Sequence, residues 1–451
     1  MISSKFPVII VGAGPGGLVA ALALQKHGIP FVIIEKATRT KICSNAGSGF
    51  ELAPTALDIF TSRLGVPINK ITLEYGGAHI QSFQGKVIGD AQMSTPFASV
   101  NRAELQNLLL DALFPTADLE EGVLKCGVTL NSYQEDAVNG QVTAYLNVDD
   151  DESTLVGCAL LGCDGIHSKV RKCMRSAVED PLIFCNCVAY WAKCPIPSGS
   201  ALEREFNKTQ KHRMKGPSFV IGLGTHYNPG SLFAIPANGK LLWALFFPSE
   251  EPPPDADDLT RRGGGILTER GKQELVQKFD GSRSSSILKT ILQQTDAPNI
   301  TEAGIFDRHN LDLPYSTDGK LVAILGDAAH PQSPFAGQGV NMAIADAYVL
   351  ATRIAMASKA DDGKAVQKSI LAFDSIHRRE SVKKVIKSAR SFTKVFISSN
   401  RFTCWMIRVV FSVVPLSWIL NDVVKYDKSN KQLVEKLEED YPESNKHSES
   451  D

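Results

Sequence analysis

The sequence of 451 residues carries almost no net charge. Lysine and arginine together number 48, and aspartate and glutamate number 49, which gives a net charge of −1. A dedicated nucleic-acid-binding protein would need a basic excess or stripe, so this balance argues against that function. Hydrophobic residues make up 43% and charged residues 22% of the chain. Both values are close to ordinary globular usage, which excludes a wholly disordered or fibrous protein.

The sequence also lacks the cysteine spacing of a metal site or a disulfide framework. It has nine cysteines, an odd number, and no C-x-x-C pair. We therefore expect free thiols in a reducing compartment and no metal site. The first apolar run, Val8–Val11, has only four residues before a glycine, which is too short for a secretory signal peptide. We expect a cytoplasmic protein.

A glycine-rich motif, Gly12-Ala13-Gly14-Pro15-Gly16-Gly17, directly follows this run and satisfies G-x-G-x-x-G. In such a motif, Gly12 permits a tight turn, Gly14 lets a pyrophosphate approach the backbone, and Gly17 lets helix and strand pack closely. Glu35 ends the next apolar run, where an acid accepts hydrogen bonds from ribose hydroxyls. The pattern predicts a βαβ unit that binds FAD or NAD rather than NADP. The alternative is a glycine turn of purely structural origin.

A second pair of strings stands near the end of the chain. G-D-A-A-H-P begins at Gly326 after an apolar run, and P-F-A-G-Q-G-V-N begins at Pro334 before an alanine-rich helical segment. Asp327 at a strand end can hold a ribityl hydroxyl. Gly337 and Gly339 expose backbone N–H groups at a helix start, whose positive dipole end stabilises negative charge on a reduced flavin ring.

Two further strings stand at predicted helix starts. The first follows a predicted strand, and the second opens with a helix-capping residue. Asp164 lies in G-C-D-G, after the apolar run that ends at Cys163. Arg102 follows Asn101, which can cap a helix with Glu104 in the capping-box position. Arg102 would then point from a helix start toward an anion, although such residues are also routine at an ordinary helix N-terminus.

Together the four strings resemble the FAD-dependent class A monooxygenases, the aromatic-hydroxylase-like family, over residues 5–355. The resemblance implies an α/β fold. Its parts are a Rossmann-like FAD-binding domain of the glutathione-reductase type, an inserted β-sheet substrate domain and C-terminal helices. The segments Leu232–Pro236 and Leu241–Phe247, joined by a hairpin turn at Asn238-Gly239, are loosely similar to the tetracycline-inactivating members.

The resemblance also implies a set of cofactor contacts. Glu35 would bind ribose, Arg102 the pyrophosphate and Asp327 the ribityl chain, while Asp164 has been tied in the family to both FAD and NAD(P)H. Residues 337–341 would lie at the isoalloxazine edge. The full set of implied cofactor-binding residues is Gly12, Gly14, Pro15, Gly17, Glu35, Gly49, Arg102, Asp164, Asp327, Pro334, Gly337, Gly339, Val340 and Asn341.

The activity implied is that of an FAD-dependent, NAD(P)H-consuming monooxygenase. It would insert one oxygen atom from O2 into a small apolar or aromatic molecule through a flavin C4a-hydroperoxide. A flavin-dependent reductase or dehydrogenase of prenyl-type substrates is the alternative, and a non-catalytic flavin-binding scaffold is a third reading. The residues name no catalytic side chain and do not choose between NADH and NADPH.

We expect the FAD-binding domain to comprise residues 1–75, 99–180 and 300–375, and the substrate domain residues 76–98 and 181–299. A C-terminal helical segment at 376–424 and a disordered tail at 425–451 follow. The apolar run Phe402–Leu420 is 19 residues long, but Arg408 and Pro415 weaken a membrane-spanning interpretation. We favour a helix packed over the substrate domain, with peripheral membrane contact as the alternative. We expect a monomer or weak dimer.

Overall fold

The helices alternate with strands in the first half of the chain and dominate its last quarter. The computed structural model describes residues 6–43, 48–148, 151–176, 179–200, 202–204, 218–253, 265–280, 286–308, 310–360, 364–413 and 416–442. Its α-helices are Pro15–Lys26, Arg39–Ile42, Pro54–Asp58, Arg102–Leu113, Ala117–Glu120, Lys169–Met174, Glu269–Asp280, Ser286–Gln294, Gly339–Ser358, Ala365–Phe373, Ile376–Phe396, Arg401–Val413 and Leu416–Asp440.

A five-stranded parallel sheet forms the first layer of the fold. Its central strand is wholly apolar and buried, as expected for a strand covered on both faces. In spatial order the strands are Val322–Ile324, Ala159–Gly162, Val8–Val11, Phe31–Glu35 and Leu124–Cys126. Because all five run in the same direction, their carboxyl ends lie along one edge of the sheet.

Helices cover this sheet and bury its core. The Pro15–Lys26 helix packs against the Gly339–Ser358 helix and the Arg102–Leu113 helix. Among the described residues, Gly339–Ser358 is the one helix long and apolar enough to cross a bilayer. Because 83% of its apolar stretch is buried inside the protein, it is accounted for as a core helix.

A nine-stranded sheet, called here the long sheet, forms the second unit. In spatial order its strands are Gly265–Ile266, Thr301–Arg308, Leu182–Pro195, Lys240–Pro248, Ser231–Ala237, Ser218–Leu223, Thr72–Ser82, Val87–Asn101 and Gly49–Leu52. The hairpin turn expected at Asn238-Gly239 is confirmed, since Ala237 pairs with Lys240 across it. A third, small sheet contains Val128–Asp136, Gln141–Val148 and Asp151–Gly157. The expected α/β fold class is confirmed.

The expected domain boundaries need correction at three places. The boundaries at 75/76 and 98/99 fall inside the strands Thr72–Ser82 and Val87–Asn101, which pair with each other along most of their length. Residues 301–308 form a strand of the long sheet and therefore do not belong to the parallel-sheet unit. The physical reason is that the strands Thr72–Ser82 and Val87–Asn101 run without interruption through the predicted boundaries. No change of composition marks those positions in the sequence.

The expectation of a disordered tail from residue 425 is wrong for the residues up to Asp440. The Leu416–Asp440 helix continues through them, and its Val434 and Leu437 are buried in the main core. The Thr55 hydroxyl donates to Asp427 Oδ2 at 2.9 Å, which ties this helix to the N-terminal part of the chain. A few apolar residues at helical spacing suffice to dock a helix that is charged elsewhere. Residues 443–451 lie outside the described residues.

All nine cysteines are free thiols, as expected from their spacing.

Candidate functional site

Four of the predicted features lie at the carboxyl edge of the parallel sheet. Val11 pairs with both Ile34 and Gly162, and Gly162 pairs with Ile324. The first glycine motif, Glu35, Asp164 and Asp327 each lie at or just beyond one of these strand ends. Ligands of open α/β sheets bind in the crevice outside these ends, so four separate sequence signals converge on one crevice.

The first glycine motif has the shape of a cradle for a phosphate group. Gly12 has a φ of +108°, and a Cβ built there would lie 2.5 Å from the Cys163 carbonyl oxygen. A Cβ on Gly17 would lie 1.9 Å from the Gly12 carbonyl oxygen. At Gly14 nothing lies within 4 Å of such a Cβ. Gly12 and Gly17 therefore serve the packing of the loop, while Gly14 leaves space beside the helix that begins at Pro15.

Two side chains form hydrogen bonds with the backbone of the glycine loop. Glu35 is buried, and its carboxylate accepts hydrogen bonds of 2.8 Å from the backbone N–H groups of Ala13 and Ala37. The Gln106 amide donates to the Ala13 carbonyl, while its Oε1 is buried without a partner. The Glu35 carboxylate therefore orients the glycine loop, and its contact with ribose stays a prediction.

Arg102 begins the helix Arg102–Leu113, and the predicted cap precedes it. Asn101 Oδ1 accepts from the N–H groups of Ala103 at 2.9 Å and Glu104 at 3.3 Å. Glu104 does not close a capping box in the described contacts; it forms a salt bridge with Lys240 of the long sheet. Gly49 pairs with Asn101, so this glycine stands beside the start of the Arg102 helix.

Asp164 caps a helix with one carboxylate oxygen, while its other oxygen accepts no hydrogen bond. Its Oδ2 accepts from the N–H groups of Lys169 at 2.6 Å and Val170 at 3.2 Å. Its Oδ1 is buried and has no hydrogen-bond partner. Burial raises the pKa of this carboxyl. A buried acceptor without a partner next to Gly12 is a feature that a donor on a bound cofactor would satisfy.

Asp327 lies in the crevice itself. Its side chain is exposed to solvent, yet the surrounding protein desolvates the carboxyl and raises its pKa. Solvent access together with desolvation by nearby protein is expected of a carboxyl group inside an open cleft. His330, which follows it, is buried and bonded to Asp346 at 2.6 Å, so the imidazole is not directed into the cleft.

The Pro334 string forms a short turn before the Gly339–Ser358 helix. Pro334 is exposed, Val340 packs against the main core, and a Cβ on Gly339 would meet nothing within 4 Å. The Asn341 side chain is fully used within the protein. Its Oδ1 accepts from Ala53 N at 2.8 Å, and its Nδ2 donates to the carbonyls of Glu51 and Gly337 at 3.0 Å. Asn341 therefore fastens this turn to the edge strand Gly49–Leu52.

Sequence reasoning missed a polar pair beside this turn. Glu51 Oε1 accepts from the Tyr75 hydroxyl at 2.7 Å, and Glu51 Oε2 would lie 3.2 Å from a Cβ on Gly337. Burial raises the pKa of Glu51, while the bond from Tyr75 opposes that rise. No motif marks either residue; the only available signal is an acid inside an otherwise apolar strand.

Aromatic rings extend from Tyr75 to the Pro334 turn across the face of the long sheet. Phe335 of the turn lies 4.6 Å from Phe246 and 5.6 Å from Phe233, centroid to centroid. Phe396 of the C-terminal helices stacks on Phe335 at 5.6 Å. These rings form a continuous apolar cluster beside the turn. The members of this aromatic cluster are Tyr75, Phe219, Phe233, Phe246, Phe335, Phe396 and Phe411.

A buried charge network around Asp346 contacts the loop that carries Asp327. Asp346 Oδ1 accepts from Arg378 Nε at 2.9 Å, and its Oδ2 lies 2.6 Å from His330 Nε2. Gly326 N donates to the same Oδ2 at 3.3 Å. Burial alone would raise the pKa of Asp346, but the charges of Arg378 and His330 hold it at about 2.

This arrangement fits FAD in three respects: an open phosphate cradle, an unpartnered buried acceptor and an acid inside a cleft. Among the described residues, no three His, Cys, Asp or Glu side chains lie close enough together to hold a metal ion.

Comparison with known proteins agrees with this fit. Residues 5–182 and 267–389 match the family described as FAD binding domain. The chain is 24% identical over 422 residues to the dual trans-enoyl reductase/FAD-dependent monooxygenase tazHJ of Aspergillus terreus. That alignment covers 88% of this chain but only 56% of the relative, so this chain spans about half of the dual enzyme's length.

Two further similarities cover nearly whole proteins. The 6-methylsalicylate 1-monooxygenase atA of Aspergillus terreus is 24% identical over 418 residues, which is 89% of this chain and 85% of the relative. The crystal structure of Klebsiella pneumoniae HpxO with FAD and uric acid superposes with a TM-score of 0.74. It is 20% identical and covers 95% of this chain and 98% of that chain, so this likeness shows the fold alone.

Proposed function

The chain belongs to the FAD binding domain family, as one of its FAD-dependent class A monooxygenases, and from this premise we propose that it takes electrons from NAD(P)H and inserts one atom of O2 into a small, largely apolar or aromatic molecule. It is an oxidoreductase, and FAD is its cofactor. The observation that carries the proposal is the position of the aromatic cluster, which begins at the Pro334 turn where the resemblance places the reactive edge of the flavin.

When bound, FAD would supply hydride acceptance from the nicotinamide and activation of dioxygen, chemistry that no amino-acid side chain supplies. The chain's own residues would bind and orient the cofactor. The cradle at Gly14, the cleft acid Asp327 and the turn from Pro334 to Gly339 are the groups that would hold its phosphate, ribityl and ring parts. Arg102 and Glu35 would serve the pyrophosphate and ribose.

The second task of the protein is to exclude water from the reacting atoms. Water among the reacting atoms would favour release of hydrogen peroxide over transfer of oxygen to the substrate. Phe335 is buried against Phe246 and Phe396, so the protein beside the turn is apolar and would keep water away. An apolar or aromatic substrate fits such surroundings because burying its surface is favourable.

The relatives support a planar ring compound as the substrate class. One is named for its action on 6-methylsalicylate, and the solved structure of another holds uric acid. Both molecules are flat rings with polar substituents. We extend this class, and no individual compound, to the present chain.

Oxygen consumption tests the proposal. Purified protein with bound flavin is given NADPH or NADH in air with a panel of aromatic, polyketide and terpenoid compounds. We expect at least one compound to accelerate nicotinamide oxidation, with O2 uptake equal to product. Product formed without O2 uptake would identify a flavin-dependent reductase instead, and bound FAD with no stimulated oxidation would identify a non-catalytic scaffold.

Asp327→Ala is expected to weaken FAD binding about ten- to a hundredfold, the effect of losing one hydrogen bond to a charged group. The flavin content of the purified protein and titration of the apoprotein with FAD measure it. Asp318→Ala is the matched control and should keep its flavin, because this exposed acid lies in the turn before the strand Val322–Ile324, at the opposite strand end from Asp327. Full flavin occupancy in Asp327→Ala would remove this residue from the site.

We further propose that Glu51 and Tyr75 form the polar end of the substrate chamber. The hydroxyl and carboxyl meet between the Gly337 turn and the aromatic cluster, where Tyr75 lies 6.4 Å from Phe219. A protonated carboxyl can donate as well as accept a hydrogen bond, and a raised pKa extends the protonated form to higher pH. Such a group suits the hydroxyl or amide substituent of a ring compound.

Glu51→Gln is expected to lower kcat/KM about tenfold, the effect of one weakened hydrogen bond, while the flavin content stays at the wild-type level. Because the Glu51 pKa is raised, kcat/KM of the wild type should change with pH above the ordinary range of glutamate, and the variant should lose that change. Glu74→Gln, at an exposed position next to Tyr75 on the strand Thr72–Ser82, is the control. An unaltered pH profile in Glu51→Gln would contradict the assignment.

A further inference from the structure

The helix Arg401–Val413 exposes an apolar stripe. The exposed fractions are 68% for Phe402, 56% for Trp405, and 37% each for Met406 and Val410. These positions follow the i, i+3, i+4, i+8 spacing that places side chains on one helix face. Exposed large apolar residues are normally scattered singly, so four on one thirteen-residue helix mark an interaction surface.

The opposite face of this helix is firmly docked. Phe411 is buried in a cluster with Ile80 and Ile221 of the long sheet, and Cys404 is buried as well. Arg408 Nη2 donates to the Gly224 carbonyl at 3.2 Å. The stripe is therefore presented outward by a helix whose other side is part of the protein interior.

Exposed cations lie on the helix that carries the stripe and on the helix that precedes it. Residues 376–413 contain nine lysines and arginines and a single acid, Glu380. Four of the nine form ion pairs with acids: Arg378, Arg379, Lys383 and Arg390. Lys387 and Lys394 are exposed on the preceding helix, and exposed Arg401 begins the helix that carries the stripe. The helix Arg401–Val413 itself contains no acidic residue.

We propose that this face docks on the surface of an anionic phospholipid bilayer. The apolar stripe would enter the boundary between headgroups and acyl chains, where tryptophan is favoured, and the cations would meet the phosphates. A second copy of the chain is a poorer occupant, because a two-fold contact would bring the same cationic residues of both copies together. The inference rests on this surface alone and does not depend on the flavin chemistry.

Vesicle sedimentation with the full-length flavin-bound protein tests the proposal. We expect binding to phosphatidylcholine vesicles that contain about one third phosphatidylserine, weaker binding to pure phosphatidylcholine, and loss of binding as salt screens the charges. The double variant Phe402→Ser/Trp405→Ser should bind at least about tenfold more weakly. Leu371→Ser, at a 52%-exposed position on a different helix, should bind like the wild type. Lys394→Glu/Arg401→Glu should lose only the preference for anionic vesicles.

Three results would overturn the proposal: no binding of the wild type to either vesicle, equal binding by the Phe402/Trp405 variant, or a concentration-dependent dimer that the same variant abolishes. The last result would assign the face to a second copy of the chain. Flavin content and oxidation of NAD(P)H with a water-soluble substrate are measured in every variant. Both should be unchanged, so a failure of membrane binding is distinguishable from a failure of the monooxygenase assignment.

Discussion

Gly17→Ala is expected to yield protein without bound FAD and with a free energy of unfolding lowered by about 3 kcal/mol or more. The added Cβ would lie 1.9 Å from the Gly12 carbonyl oxygen, and a backbone atom cannot move aside as a flexible side chain can. Overpacking a core commonly costs about 1–3 kcal/mol, and a clash with backbone belongs at the upper end of that range. The Pro15–Lys26 helix would have to move away from the strand, which distorts the phosphate cradle.

Gly14→Ala is the matched variant, because it adds the same methyl group three residues away. Gly14 has a φ of −74°, which alanine adopts freely, and nothing lies within 4 Å of the added Cβ. We expect its unfolding midpoint to stay near the wild-type value while its flavin content falls, since the methyl group fills the space left for the pyrophosphate. Urea unfolding and flavin absorbance measure the two effects. Wild-type stability of Gly17→Ala would show that the loop is not packed as described.

Asp346→Ala is the second change with a large expected effect, a loss of about 3–5 kcal/mol in the free energy of unfolding. Asp346, Arg378 and His330 are all buried, so removal of the carboxylate leaves the guanidinium charge without its partner in the protein interior. Glu274→Ala is the control. It removes an exposed ion pair with Arg270, which contributes less than about 1 kcal/mol. Equal losses in the two variants would contradict this account.

The same network predicts an acid limb in the stability profile. The pKa of Asp346 is held at about 2 in the folded protein, below the ordinary value of aspartate. A lowered folded pKa contributes stability that is present above the ordinary value and is lost as pH falls toward the folded value. The wild type should therefore lose about 2 kcal/mol from this group between about pH 5 and pH 2. Urea unfolding at several pH values should show this loss in the wild type and not in Asp346→Ala.

The network also explains why the C-terminal helices matter to the candidate site. Arg378 belongs to the Ile376–Phe396 helix, yet it shares Asp346 with the backbone N–H of Gly326 and the ring of His330. Phe396 of the same helix stacks on Phe335 of the Pro334 turn. A segment that the sequence predicted to be a separate helical region therefore supports both loops that would hold the flavin.

The amino-acid sequence by itself determined the parallel sheet and the position of the crevice. Apolar runs of four or five residues such as Val8–Val11 are typical of strands buried on both faces, and the motifs follow those runs directly. The role of Gly17 depends on the carbonyl of Gly12 in the same loop, and the strand ends meet because parallel strands share an edge. Such signals are local, so they can be read along the chain.

Only the tertiary structure decided which residues complete the site and that the segment up to Asp440 is a docked helix. Glu51 meets Gly337, and Thr55 bonds to Asp427, across sequence separations of 286 (337 − 51) and 372 (427 − 55) residues. No local pattern records such a contact, because its free energy arises when two distant segments exclude water from the same place. For the same reason the Leu416–Asp440 helix looked like a charged tail: its few buried residues gain their stability only from the core against which they pack.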